Sequence, residues 1–391
     1  MLPIKYVDLI KNSMVSTHTI IIGAGAAGLA SAACLQHEGI DCIVLEKHSE
    51  VATAWRNHYE RLHLHTSKKW SCLPFKPFSN AAPKYPSRRN VVEYLDNYVT
   101  EMNIHPVFNA EVLSVKKEKN KWIVESSQGI YQSRYVIMAT GMNATPKMPE
   151  IEGLDCFTGT VMHSSKYKNG AEFTGKNVLV VGFGNSACEL AMCLHEHGAF
   201  PSLSVRSAVN VVPRDMFGFN VLELGKLTYK LPAKLADKIN APLIRMLVGN
   251  LTKLGLKKSP IGPREQIEKE RKIPLLDIGT IALIREGHIK VYGDILWIKD
   301  NIIHFENGRQ HHFDAIILAT GYQNNLDSIL APAYLNGNNL NKPVSRQTAF
   351  GKDGLYFCGF YLSPMGMLRE IGIEAKKIAE DIAKKNIGVN F

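Results

Sequence analysis

Two clusters of glycine carry the strongest chemical signal in the chain, GAGAAG at 23–28 and GFGNSA at 182–187. Each follows an apolar run that reads as a buried strand, TIII at 19–22 and NVLVV at 177–181, and each opens a stretch that reads as a helix. Strand, glycine turn and helix in that order make a phosphate cradle. The first glycine (Gly23, Gly182) permits the tight turn, and the second (Gly25, Gly184) lets the backbone approach a pyrophosphate. The third position lets the helix lie close to its strand: Gly28 in the first cluster, and Ala187, an accepted variant, in the second. Ala26, and in the second cluster Asn185 and Ser186, stand at the helix N-terminus that faces the anion.

The residue closing the next strand separates the two sites. In CIVLE, Glu46, with Lys47 beside it, comes 23 residues after Gly23, where a carboxylate accepts the ribose hydroxyls of an adenosine. In SLSVR, Arg206 comes 24 residues after Gly182. A carboxylate would repel a 2′-phosphate and a guanidinium would pair with one. The first site is therefore expected to take FAD and the second NADPH, the competing reading of Arg206 being a solvated surface arginine. Each unit is later answered by a strand ending in ATG, VIMATG at 136–141 and AIILATG at 315–321. Thr140, Gly141, Thr320 and Gly321 thus join the candidate cofactor contacts, as does Gly359 in GLYFCGFY.

The elements that must position these residues define an α/β chain of two nested Rossmann-like dinucleotide-binding domains with a helical insertion. The expected FAD domain covers 1–168 and returns at 310–391, and the NADPH domain is inserted at 169–309. Residues 50–90 read as loop, 90–102 as helix, 111–140 as a β-meander, 281–306 as strands and 366–386 as a closing helix. In the Leu- and Lys-rich insertion at 217–258, Lys226, Lys230, Lys234 and Lys238 would share one face of a continuous helix, but Pro232 and Pro242 are expected to break it. That face reads as the solvated side of a lid, with contact to a membrane surface or guidance of an anionic acid as alternatives.

The net charge of +10 invites a nucleic-acid partner, yet the basic residues are spread out and no nucleic-acid-binding motif accompanies them. An anionic cofactor or substrate accounts for part of the excess. The seven cysteines are scattered with no C-x-x-C, which argues against a disulfide scaffold or a zinc site. In the loop-rich region after Glu46, residues 50–90, the only cysteine is Cys72, so the cysteine pair that a disulfide reductase usually carries early in its flavin domain is missing. His63 and His65 alternate as metal ligands could, but no third ligand follows, and no metal is expected. The sequence shows no bilayer-length apolar run and no apolar core of a secretory signal near its start, and a cytoplasmic protein is expected. An oxygenase needs no protein nucleophile, and none is evident.

FTGTVMHSSKY at 157–167 then resembles the F-x-G-x-x-x-H-x-x-x-[YF] motif of class B flavin-containing monooxygenases, at Phe157, Gly159, His163 and Tyr167. Baeyer–Villiger enzymes generally carry Trp at the last position. His163 reads as a residue shaping the domain junction, not as an acid–base catalyst. YERLHLHTSKKWSCLPFKPF, PKYPSRRNVVEYLDNY, VVPRDMFG and KIPLLDIGTIALIREGHIKV extend the resemblance, over about 17–386, to the plant YUCCA-type enzymes and their bacterial relatives.

The resemblance implies FAD, NADPH and O2, a C4a-(hydro)peroxyflavin, and oxidative decarboxylation of an aromatic 2-oxo acid such as indole-3-pyruvate to the auxin indole-3-acetate. N- or S-oxygenation of amines or sulfides is the alternative, and a flavin redox sensor that leaks peroxide a third reading. It also implies that Trp55, Arg56, His65 and Thr66 lie along the flavin, with His65 where xenobiotic-type members have Asn, and that Asn143 lies near the cofactor junction. Met142, in place of a common Glu, and the closing SPMGMLRE depart from the family pattern and leave the substrate open.

Overall fold

The computed structural model describes residues 14–228, 230–335, 350–363 and 365–387. Its principal elements are β1 (Val15–Ile22), α1 (Ala26–His37), β2 (Cys42–Leu45), α2 (Arg88–Glu101), β3 (Val112–Glu118), β4 (Lys121–Ser126) and β5 (Gly129–Met138). They continue with β6 (Thr160–His163), β7 (Asn177–Val181), α3 (Asn185–Glu196), β8 (Phe200–Ser204) and α4 (Ala233–Val248). The last are β9 (Lys290–Tyr292), β10 (Ala315–Leu318), β11 (Leu355–Phe357) and α5 (Met367–Ile387). The chain forms two units, one from Met1–Arg56, Ser67–Thr145 and Tyr322–Phe391, the other from Asn57–Thr66 and Pro146–Gly321.

In the first unit, β2, β1 and β5 run parallel, with β11 parallel to β5, and β5, β4 and β3 form an antiparallel meander. The continuous apolar run of β1 fits a strand covered on both faces, and Ile20 and Ile21 are fully buried. Helix α1 is rich in Ala, Gly and Ser, which lets it lie close to the sheet, and α5 packs against it. Ser87 and Asn90 form a reciprocal capping box that fixes the start of α2.

The second unit holds an all-parallel sheet in the order β9–β8–β7–β10–β6. Because β6 and β10 pair with each other, and β10 with β7, residues 160–163 and 315–318 belong to this sheet. The units accordingly divide at 145/146 and 321/322, not at the expected 168/169 and 309/310. The segment Asn57–Thr66, expected in the first domain, is a strap on the second unit.

Two local expectations also change. Residues 280–285 form a helical turn, Thr280–Arg285, not a strand, and the following strands 295–299, 302–305 and 310–312 are an antiparallel meander. Pro232 caps α4, and Pro242 lies inside it without ending it. The helix survives the lost hydrogen bond because its inner face is anchored by buried Ala233, Ala236 and Val248. Lys234 and Lys238 are exposed on that helix, Lys230 precedes it, and the side chain of Lys226 lies outside the described residues.

All seven cysteines are free. Burial pushes the thiols of Cys34 and Cys42 up to about 12 and raises Cys188 and Cys358 further, while Cys156 is exposed. Among the described residues, no helix is long and apolar enough to cross a membrane, and no group of three or more His, Cys, Asp or Glu is placed to hold a metal.

Candidate functional site

The first cradle is set by backbone strain that only glycine relieves. Gly23 has φ +105°, its N–H donates to Leu45 O at 2.8 Å, and a Cβ there would stand 2.7 Å from Ala139 O. A Cβ on Gly28 would meet Gly23 O at 1.8 Å. Gly25 caps α1 and differs from both, because a Cβ on it would meet nothing within 4 Å. That open side, before the free N–H groups of a helix start, fits a pyrophosphate.

Glu46 is 8% exposed and doubly anchored, Oε2 accepting from Ala24 N–H at 2.7 Å and Oε1 from His48 N–H at 3.0 Å. Its remaining lone pairs suit ribose hydroxyls. Lys47 and Thr140 are exposed, and Gly141 turns with φ +78°. Gly359 donates its N–H to Glu374 Oε2 at 2.8 Å, and a Cβ on it would lie 3.0 Å from the Ala27 Cβ in α1.

The second cradle repeats the plan. Gly182 has φ +127°, donates to Ser204 O at 3.0 Å, and would clash through a Cβ with Ala319 O at 2.7 Å. Gly184 caps α3 with open space before it, and Ala187 is fully buried. Asn185 turns its Oδ1 to the Leu276 N–H at 2.9 Å, tying the start of α3 to its neighbouring strand. Ser186 is half-buried beside it, and Arg206 is exposed with no ion pair among the described residues. Thr320 donates its hydroxyl to Lys147 O at 2.5 Å.

The 157–167 motif is structural in its contacts. Phe157 is buried, and Gly159 passes so near Asp314 O that a Cβ would stand 2.4 Å away. His163 Nδ1 accepts from Ser165 N–H at 3.1 Å and Nε2 donates to Gly321 O at 3.1 Å, an arrangement that fits the neutral ring. Burial lowers its pKa. Tyr167 is fully buried, stacked on Phe173, with its hydroxyl pushed up by burial and by Cys193.

The four residues expected along the flavin are divided between the units. Trp55 and Arg56 end a short helix of the first unit, where Arg56 pairs with Asp96 and, at 3.1 Å, with Glu50. His65 and Thr66 fall on the second, where His65 Nε2 meets Glu189 Oε1 at 2.5 Å. Sequence reasoning missed Glu189, whose one signal was a lone acid on the apolar helix CELAMC. Asn143 is exposed in the first unit, and Met142 packs against that unit's core. His63 is turned away to Arg61 O at 2.6 Å, so the two histidines share no ligand position.

Residues 20–212 match the family model of pyridine nucleotide-disulphide oxidoreductases. In fold the chain is similar to a flavin-containing monooxygenase from Stenotrophomonas maltophilia (TM-score 0.73, 18% identity, 95% of this chain and 100% of that one). It is likewise similar to cyclohexanone monooxygenase from Rhodococcus sp. Phi1 bound to NADP+ (TM-score 0.72, 19% identity, 96% and 85%). The class that the family model and the relatives at about 40% identity define is a flavin-dependent monooxygenase whose cofactors are FAD and NADPH. The chain is 40% identical over 390 residues to indole-3-pyruvate monooxygenase YUCCA6 of Arabidopsis thaliana, covering 95% of this chain and 91% of that one. It is 37% identical over 370 residues to indole-3-pyruvate monooxygenase YUCCA1 of Oryza sativa subsp. japonica, covering 93% and 90%. The chain belongs to the YUCCA-type branch of the class B flavin-containing monooxygenases.

Proposed function

We propose that the protein oxidatively decarboxylates an aromatic 2-oxo acid, indole-3-pyruvate being the model substrate, with FAD in the first unit and NADPH in the second. The observation that carries this reading is the near full-length similarity to proteins named for that reaction. The balance is 2-oxo acid + O2 + NADPH + H+ giving the shortened acid, CO2, NADP+ and water. Bound flavin, once reduced, supplies the activation of dioxygen.

The chain's own residues hold and discriminate. Gly25 and Gly184 leave room for the two diphosphates, and the N–H groups that open α1 and α3 donate to them. Glu46, fixed by two backbone donors, takes the ribose of FAD and disfavours a phosphorylated one. Arg206, exposed and unpaired with any acid among the described residues, takes the 2′-phosphate of NADPH. His163, neutral and bonded through both nitrogens, holds the second ATG turn and moves no proton. Free cysteines throughout support a reducing, cytoplasmic setting.

The test is aerobic turnover of the FAD-loaded enzyme with NADPH and indole-3-pyruvate, with products identified by mass spectrometry. Indole-3-acetate formed in step with NADPH consumption is expected. A sulfide or amine oxygenated while the 2-oxo acid is untouched would replace this reading with heteroatom oxygenation. NADPH converted only to hydrogen peroxide, whatever is offered, would point to a redox sensor.

A further inference from the structure

Glu189 is an anomaly in the second unit. It lies on α3, four residues past Asn185 and so about 6 Å along the axis from the helix start, and its side chain is 2% exposed. A buried carboxylate needs partners. Among the described residues it has one hydrogen-bonding side chain, His65 Nε2 at 2.5 Å, while its Oε2 and the His65 Nδ1 have none.

His65 is brought there by the strap. Tyr59 is buried in the core of the second unit, and Leu62 packs against that core. Glu60 N–H donates to Lys168 O at 2.9 Å, and Lys168 Nζ to Asn57 O at 2.6 Å. Arg61 forks onto Glu196 of the same helix at 2.9 and 2.6 Å, and Asn220 Nδ2 holds His65 O at 2.9 Å. Glu189, Cys193 and Glu196 stand on successive turns of α3, and the strap answers the two acids with His65 and Arg61.

We propose that His65 is a positioning residue for the second cradle: by engaging Glu189 it restrains a buried negative charge one turn behind the phosphate-binding end of α3. The inference rests on the reading of that cradle as the NADPH site, and it reassigns His65 from the flavin to the nicotinamide cofactor. With His65 gone, the carboxylate is left to oppose the incoming diphosphate. A unit charge at that range, at the effective dielectric of a protein site, is worth about tenfold in affinity.

Calorimetric titration of the FAD-loaded protein with NADP+ reads this without turnover. His65→Ala should raise the Kd about tenfold with FAD content, followed by absorbance, unchanged. His65→Gln, which keeps a donor, and the double variant His65→Ala/Glu189→Gln, which removes the charge, should both stay within about threefold of the parent. In turnover, the His65→Ala change should fall on the NADPH KM with kcat retained.

An unchanged Kd in His65→Ala, a double variant no better than His65→Ala, or FAD loss with NADP+ affinity intact would overturn the proposal. If His65→Ala does not fold, a double variant that folds and binds supports the pair, and one that stays unfolded overturns it. Arg206→Ala in the same titration separates the two levels. If it also leaves Kd unchanged, the NADPH reading of the cradle has failed; if it alone weakens binding, only the role of His65 has.

Discussion

An alanine at position 28 would push its Cβ to 1.8 Å from the Gly23 carbonyl, yet at the matching place in the second cradle Ala187 is accommodated and fully buried. The turns themselves are alike. Gly23 and Gly182 have the same handedness, accept no Cβ for the same reason, and abut the alanine of their own ATG strand at the same 2.7 Å. What differs is how tightly the helix is pressed onto its turn. Helix α1 has α5 against it and Gly359 touching Ala27, whereas α3 is covered by a strap of larger residues. The third position of such a motif thus reports helix-to-strand spacing.

That contrast can be broken in stages. Gly28→Ala should be the most damaging change, removing about 3 kcal/mol or more of stability and most of the FAD-bearing protein. A normal melting temperature with full flavin absorbance would show that the first helix can retreat. Next, Arg206→Ala should raise the NADPH KM by about ten- to a hundredfold, the value of a charge-assisted hydrogen bond, and barely alter that for NADH. Equal changes with both coenzymes would strip Arg206 of its role.

Ala187→Gly should bind NADP+ as before and lose only about 1 kcal/mol of stability, the helix propensity of one residue, measured by denaturant unfolding. A weakened NADP+ affinity there would mean that the third position does touch the phosphate.

The smallest effect expected is on pH. His163 has its pKa lowered from 6.5 by burial, so the unfolded chain binds the proton more readily. Its contribution is complete above 6.5 and is lost as the pH falls toward the lower folded value, with half-buried His311 acting in the same direction. His163→Gln should flatten the acid side of the melting-temperature profile. An identical profile in the variant would exclude His163 as its source.

The cradles were legible because strand, glycine spacing and closing residue all lie within about 25 residues of one another, so local pattern suffices. Glu46 is such a case. The unit boundaries were not legible, since β6 and β10 join the second sheet through pairing with partners far along the chain. His65 and Glu189 are 124 residues apart, and nothing in HLHTS announces a carboxylate partner. Pro242 misled for a related reason: propensity argues for a break, and packing of the inner face of α4 overrides it.

The cysteines bear on durability. Reduced flavin that meets oxygen without substrate releases peroxide, and peroxide attacks thiolates. Thiols held protonated near 12, as at Cys34 and Cys42, or higher, as in the interior at Cys188 and Cys358, offer almost none. An interior of withheld thiols resists peroxide from any source, and Cys156, the one exposed thiol of the seven, is where oxidative wear would first be recorded.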